Sequence, residues 1–293
     1  MSQFARVIKP YMITSGKGFR LSRHDPADTG GLKLDKEAAG TELRNGVEQL
    51  ARLQEQLYAG QSRSLLLIFQ AMDAAGKDGT IKHVMSGVNP QGCAVTSFKT
   101  PSSEELSHDF LWRCAKVVPP RGMIGIFNRS YYEEVLAVRV HPEFLAKQRL
   151  PPEHVGKRLW KERFEDINAF EQHLVRNGTV VLKFFLHLSK GEQKRRFLKR
   201  IEDQDRNWKF SASDVTERQH WDDYQEAYDD AIRRTATPEA PWIVVPADHK
   251  WYTRLVVGAT IVNALEALKL KFPEVDKEAK GRLEDARRLL EAD

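Results

Sequence analysis

Three stretches of this 293-residue chain carry side chains of the right type and spacing for chemistry on phosphate. The first is FQAMDAAGKDGT, residues 69–80, directly after the apolar run Leu65, Leu66, Leu67, Ile68, Phe69. A buried strand that ends in a tight turn of small residues aims backbone N–H groups inward. The next helix then starts with its positive dipole end on the same spot. Gly76 and Lys77 sit in that turn, and the lysine adds a point charge for outer phosphates. Against the spacing G-x-x-x-x-G-K-[ST], Ala71 stands for the first glycine and Asp78 for the final hydroxyl. Alanine serves there only where φ stays negative. Without the hydroxyl another group must ligate magnesium, and Asp73 and Thr80 are the candidates. An ordinary strand-to-helix turn is the plainer alternative, and phosphate binding is preferred to it.

The second stretch is FNRSYYEEVLAVRV, residues 127–140, which follows a buried strand and opens a helix. Asn128 stands where many phosphate-loop enzymes place an aspartate that helps hold magnesium. Arg129 can fork onto phosphate oxygens in fixed geometry. Glu133, one turn into the helix, could reach a metal or a nucleotide amine. Glu133 and Glu134 also simply suit a helix N-terminus, which is the better account of either one alone. For Asn128-Arg129-Ser130 a functional role is preferred. The third stretch is KGEQKRRFLKRIEDQDRNWK, residues 190–209, with Lys194, Arg195, Arg196, Lys199, Arg200, Arg206 and Lys209. It is either a solvated basic face or, after the fourth strand, a mobile lid that closes over phosphates and excludes water.

The elements that must position these groups alternate. Strands are expected at 64–70, 94–98, 123–128, 179–186 and 241–246. Helices are expected near 36–59, 79–87, 102–117, 130–138, 153–176, 190–203, 214–235 and 251–270. Apolar strands separated by helices imply an α/β fold with a parallel sheet of five strands covered on both faces. Ligands in such sheets bind at the carboxyl ends of the strands, where Gln70–Thr80 and Asn128–Glu133 both fall. Residues 1–35 are punctuated by proline and glycine and read as an extended arm. Residues 36–272 form one domain, with the lid at about 190–212, and 273–293 form a charged tail with helical propensity.

The formal net charge is +5, which suits an anionic substrate but does not separate nucleotide, polyanion and nucleic acid. The two cysteines, Cys93 and Cys114, lie in no metal-spaced cluster and fit a reducing, cytoplasmic setting. No apolar run approaches membrane-spanning length, and the N-terminus lacks the apolar segment of a signal peptide. The basic run is not interleaved with stacking aromatics, which argues against a nucleic-acid module. The tryptophans read as core or interface residues, and His83 and His141 as surface or capping residues.

Taken together, Ala71 to Gly79, Asn128 to Glu133 and the basic helix ending in Trp208-Lys209-Phe210 resemble the polyphosphate kinase 2 family. Gly87-Val88-Asn89-Pro90, Trp221-Asp222-Asp223-Tyr224 and Ala240-Pro241-Trp242 add to the match, which runs over roughly residues 19–272. The resemblance implies a three-layer α/β/α P-loop kinase-like fold with a helical lid. It implies metal-dependent phosphoryl transfer between inorganic polyphosphate and purine nucleotides, with magnesium, or manganese in its place. It also implies a homodimer or homotetramer; on the composition above, neither a nucleic acid nor a membrane is expected as partner. By this resemblance Asp73 is catalytic and holds the metal, Lys77 and Arg129 are catalytic, and Glu133 is the acidic helix residue. Gly76, Asp78, Gly79, Thr80, Asn128, Ser130 and Tyr132 join them in binding nucleotide and phosphate. Arg195, Arg196 and Arg200 are the lid arginines. Asn128 resembles the members that accept nucleoside monophosphates, so AMP is the favoured acceptor, with ADP beside it. A diphosphate-specific enzyme and an ATP-dependent nucleotide kinase on the same fold are the alternatives.

Overall fold

The computed structural model describes residues 5–32, 36–205, 207 and 211–292. Arg206, and the Trp208-Lys209-Phe210 end of the third motif, lie outside the described residues. Six strands form one sheet: β1 (Met12–Ile13), β2 (Ser64–Gln70), β3 (Cys93–Ser97), β4 (Ile124–Asn128), β5 (Thr179–His187) and β6 (Trp242–Pro246). Their order is β1-β6-β5-β2-β4-β3. The five longer strands run parallel, each within a residue of its expected bounds, and β1 pairs antiparallel with β6. The sixth strand escapes sequence reading because two residues are too few to show a period.

The longer helices are α1 (Lys36–Gly60), α2 (Lys77–Val84), α3 (Leu159–Arg176), α4 (Lys190–Glu202), α5 (Trp221–Thr235), α6 (Lys250–Ala267) and α7 (Lys277–Glu291). They divide between the two faces because side chains alternate along each strand. Leu65, Leu67 and Phe69 of β2 pack with Leu50 and Leu57 of α1, Ile81 and Val84 of α2, and Val256 and Ile261 of α6. Leu66 and Ile68 point the other way, onto Phe164 and Ile167 of α3 and Ala231 and Ile232 of α5. Every residue of β2 is buried. Burying each such aliphatic side chain contributes about 1.5–3 kcal/mol. Helix α6 is apolar on nearly all sides and buried along its length, which marks it as a core helix.

Four expected elements take other forms, among them the helix expected at 214–235, which is broken into Ala212–Glu217, a 3-10 turn Arg218–His220 and α5. The helix expected at 102–117 is two short ones, Ser103–Ser107 and Trp112–Ala115. The helix expected at 130–138 is a 3-10 turn, Tyr131–Val135, followed by Ala137–Val140. The expected extended arm folds back on the body. Tyr11 is buried, donates its hydroxyl to Asp28 at 2.6 Å and meets the Tyr252 hydroxyl of α6 at 2.9 Å.

The connections set the position of the site. Chain leaving β2 enters α2 on one face of the sheet, and chain leaving β4 runs to α3 on the other. A crevice therefore opens between the carboxyl ends of β2 and β4, the switch point where ligands bind in open α/β sheets.

Candidate active site

The ladder brings the first two motifs together. Phe69 pairs with Asn128, and the Arg129 N–H extends the register by donating to the Phe69 carbonyl at 3.0 Å. The loop after β2 and the turn after β4 thus leave the sheet side by side. Both use left-handed backbone. Gly76 has φ +100° and caps α2, while Ala74 (φ +63°) and Arg129 (φ +65°) adopt this conformation without being glycine. Ala71 is not among the positive-φ residues, so alanine meets the condition set for it. Strained backbone of this kind costs about 1–3 kcal/mol per residue and gathers at functional sites.

At the crevice, Arg129 Nη2 donates to Asp73 Oδ1 at 3.2 Å. Both side chains are part exposed, 41% and 33%, and such pairs contribute about 0–1 kcal/mol. A contact this weak is given up at little cost to a competing anion. Lys77 Nζ donates to the Ala71 carbonyl at 2.8 Å, which leaves two ammonium protons for a ligand. Burial, then the Arg129 charge, pushes the Lys77 pKa down, while Asp73, Glu133 and Asp78 pull the other way. Glu133 is the largest influence raising the Arg129 pKa, ahead of the opposing effect of burial and the support of Asp73. Asp73, Lys77, Arg129 and Glu133 therefore share one electrostatic neighbourhood. Asn128 Nδ2 donates to Asp78 Oδ1 at 2.6 Å and ties the two loops. Gly76 makes no side-chain cap, and the amides of Gly76, Lys77, Asp78 and Gly79 donate to no acceptor among the described residues. They form the open N-terminal turn of α2, where an anion is favoured. Thr80 is buried in α2 just behind them, its N–H on the Gly76 carbonyl at 2.9 Å.

Other expected residues are placed elsewhere. Ser130 is fully buried and caps the 3-10 turn, its Oγ accepting from the Tyr132 N–H at 3.1 Å. Tyr132 lies in the core, with its hydroxyl donating to Glu171 at 2.8 Å. Neither side chain is brought to the crevice. The three arginines of α4 separate as well. Arg195 is 64% exposed and grips Glu192 through two contacts of 2.6 Å. Arg200 faces Asp214 at 3.4 Å. Arg196 is buried, and its guanidinium is taken up by the phosphate loop's own carbonyls.

Asp214 was not among the sequence candidates. Burial, and next to it the Asp73 carboxylate, raises its pKa, so it belongs to the same neighbourhood. Nothing in its local sequence sets it apart from the other acids of the chain. The oxygens of Asp73, with Asp214 and Glu133 in the same field, suit a hard dication such as magnesium, which takes one or two carboxylates plus substrate phosphates. No cluster of three or more His, Cys, Asp or Glu able to cage a metal occurs among the described residues. Both thiols are pushed up by burial, Cys93 to about 11 and Cys114 to about 12, and stay protonated at neutral pH.

Comparison with known proteins bears on the family and the fold. A family model described as Polyphosphate kinase 2 (PPK2) matches residues 33–273. An ADP-polyphosphate phosphotransferase of Rhodopseudomonas palustris is 53% identical over 88% of this chain and 92% of its own length. An AMP/ADP-polyphosphate phosphotransferase of Meiothermus ruber is 44% identical over 91% of this chain and 96% of its own. The crystal structure of Polyphosphate Kinase 2 from Arthrobacter aurescens TC1 superposes with a TM-score of 0.83 at 41% identity, covering 93% of this chain and 97% of that one. With a family model matched over most of its length and relatives up to 53% identical, the chain belongs to the polyphosphate kinase 2 family.

Proposed function

We propose that the protein transfers the terminal phosphoryl group of inorganic polyphosphate to AMP or ADP. The observation that carries this is the meeting of Asp73, Lys77 and Arg129 at the ends of β2 and β4, in a chain whose relatives are named for the same transfer. The nucleophile is a terminal phosphate oxygen of the nucleotide, already ionised at neutral pH, so no strong general base is required. It forms a new P–O bond as the terminal P–O–P link of the donor breaks, and the polyphosphate leaves one unit shorter. The barrier is largely repulsion between two polyanions. Cations and aimed N–H groups therefore dominate catalysis.

Lys77 and the amides of Gly76 to Gly79 cradle the transferred group, and Arg129 neutralises the acceptor. Arg200, which faces Asp214 at 3.4 Å, adds charge from α4. Asp73 would hold a divalent ion, magnesium or manganese, which when bound shields the phosphate oxygens of donor and acceptor from one another. Asn128 holds Asp78 and leaves Asp73 to the metal and Arg129. A second reading, ADP alone as acceptor, is motivated by the name of the relative that is 53% identical. We further propose a homodimer or homotetramer working in the cytoplasm, the setting that two unpaired cysteines fit. No described helix is long and apolar enough to cross a membrane.

A panel of AMP, ADP, GMP and GDP with polyphosphate and magnesium, without ATP, tests the proposal by chromatography of the products. ADP forms from AMP, and ATP from ADP. Growth of ATP from ADP with AMP left untouched would favour the second reading. Turnover only after ATP is added would replace both with an ATP-dependent kinase.

A further inference from the structure

The carbonyls of the phosphate loop can be accounted for one by one. Ala71 O accepts from Lys77 Nζ at 2.8 Å, Met72 O from the Ala75 N–H at 3.3 Å, and Gly76 O from the Thr80 N–H at 2.9 Å. Asp73 O accepts from Gln193 Nε2 of α4 at 3.0 Å. Ala74 O and Ala75 O both accept from Arg196 Nη1, at 3.1 and 2.9 Å. Every carbonyl from Ala71 to Gly76 is thus engaged on the protein side, while the amides of the next turn are open. Three of the six acceptors are held by α4, two of them by one guanidinium.

The rest of that guanidinium is equally committed. Arg196 Nη2 donates to Ala247 O at 2.6 Å and Asp248 O at 3.1 Å, just after β6, and Nε donates to Glu192 Oε1 at 2.7 Å. Four carbonyls and a carboxylate surround a planar fork that is only 8% exposed. Such a group has no donor left for a substrate phosphate. A backbone that turns left-handed at Ala74 and again at Gly76 needs its outward carbonyls fixed if its amides are to stay aimed at one point.

We infer that Arg196 is a positioning residue rather than a lid arginine. It clamps the outer, carbonyl side of the phosphate loop, so that the inner, amide side is held ready for the transferred phosphoryl group. It also pins the first half of α4 to the loop and to the turn after β6. This role rests on the phosphotransferase reading above.

The test is steady-state ADP formation from AMP and polyphosphate by Arg196→Ala, Arg196→Lys and Glu192→Gln, well below the melting midpoint of each variant. Arg196→Ala and Arg196→Lys each lower kcat by about 100-fold, the scale of a misplaced reacting group, while KM for AMP stays within about threefold. Lysine does not rescue, because one ammonium cannot fork onto four carbonyls. Glu192→Gln weakens a charge-assisted contact and lowers kcat about tenfold in the same sense. Millimolar guanidinium partly restores Arg196→Ala and leaves wild-type protein unchanged, which a general loss of stability would not produce. Should Arg196→Ala not fold, the lysine and glutamine variants carry the test. Wild-type kcat in the folded lysine variant, or in Glu192→Gln, would overturn the inference. So would a loss confined to KM for polyphosphate, which would place Arg196 on the substrate. If wild-type protein itself forms no ADP, the phosphotransferase reading falls and this role falls with it.

Discussion

Single residues at the crevice carry unequal weight. In the proposed mechanism Lys77 and Asp73 face the reacting groups, so Lys77→Ala and Asp73→Asn should each lower kcat by at least about 100-fold, the size of effect seen when one charge stabiliser is lost. Near-normal turnover in either variant, measured with saturating polyphosphate, would remove that residue from the mechanism. A residue with no part in the proposed mechanism sets an acid limit instead. His187, at the end of β5, is buried and held neutral, its pKa pushed from 6.5 down to about 4 chiefly by burial. Between those values the unfolded chain binds a proton that the folded one does not. This group costs nothing above about pH 6.5, and stability falls as pH drops toward 4, by up to about 3 kcal/mol. Urea unfolding at pH 7.5 and pH 5 should show a smaller drop for His187→Asn than for wild type. Equal drops would contradict it. At this scale the sequence showed the reactive types but not their surroundings. Asp73, Lys77 and Arg129 stand out by motif. The burial of Ser130 and Tyr132 does not, because a polar residue beside a glycine-poor turn looks the same whether it caps or binds.

Among the elements, the strands and the longer helices were legible because period and apolar content mark them directly. The 3-10 turn Tyr131–Val135 was not, since its shape comes from tertiary contacts. Tyr131 and Tyr132 both donate to Glu171 Oε1 of α3, at 2.9 and 2.8 Å. Lys183 of β5, fully buried, pairs with the other oxygen of Glu171 and donates to Thr235 O at 2.8 Å. Burial pulls the Lys183 pKa down, and Glu171 opposes that. The network fixes the turn that carries Arg129 against α3, β5 and the end of α5. Lys183→Met leaves a buried carboxylate without its cation and should destabilise the fold by about 3–5 kcal/mol. Urea denaturation reads this as a lower midpoint at unchanged slope. A loss below about 1 kcal/mol would mean that the two tyrosines suffice to hold Glu171. The lid arginines show the opposite limit of sequence reading. Arg195, Arg196 and Arg200 share one basic run, yet one grips its own helix, one clamps the loop and one faces Asp214. Helical spacing alone does not distinguish these fates.

For the whole molecule, the fold brings positive groups from the β2 loop, the β4 turn and α4 to one edge of the sheet, and the net charge of +5 adds a favourable background field. A long polyanion held this way releases counterions on binding. Its affinity should fall steeply and log-linearly with salt; a flat response in calorimetric titrations would argue against a basic channel for the donor. In the proposed reaction polyphosphate itself supplies the phosphoryl group. Phosphorus NMR of purified protein with AMP, polyphosphate and magnesium, in strictly ATP-free buffer, tests it most directly. The β-phosphate signal of ADP should grow at the expense of polyphosphate, and Lys77→Ala should abolish the growth. An unchanged spectrum with wild-type protein, followed by ADP formation once ATP is supplied, would contradict it.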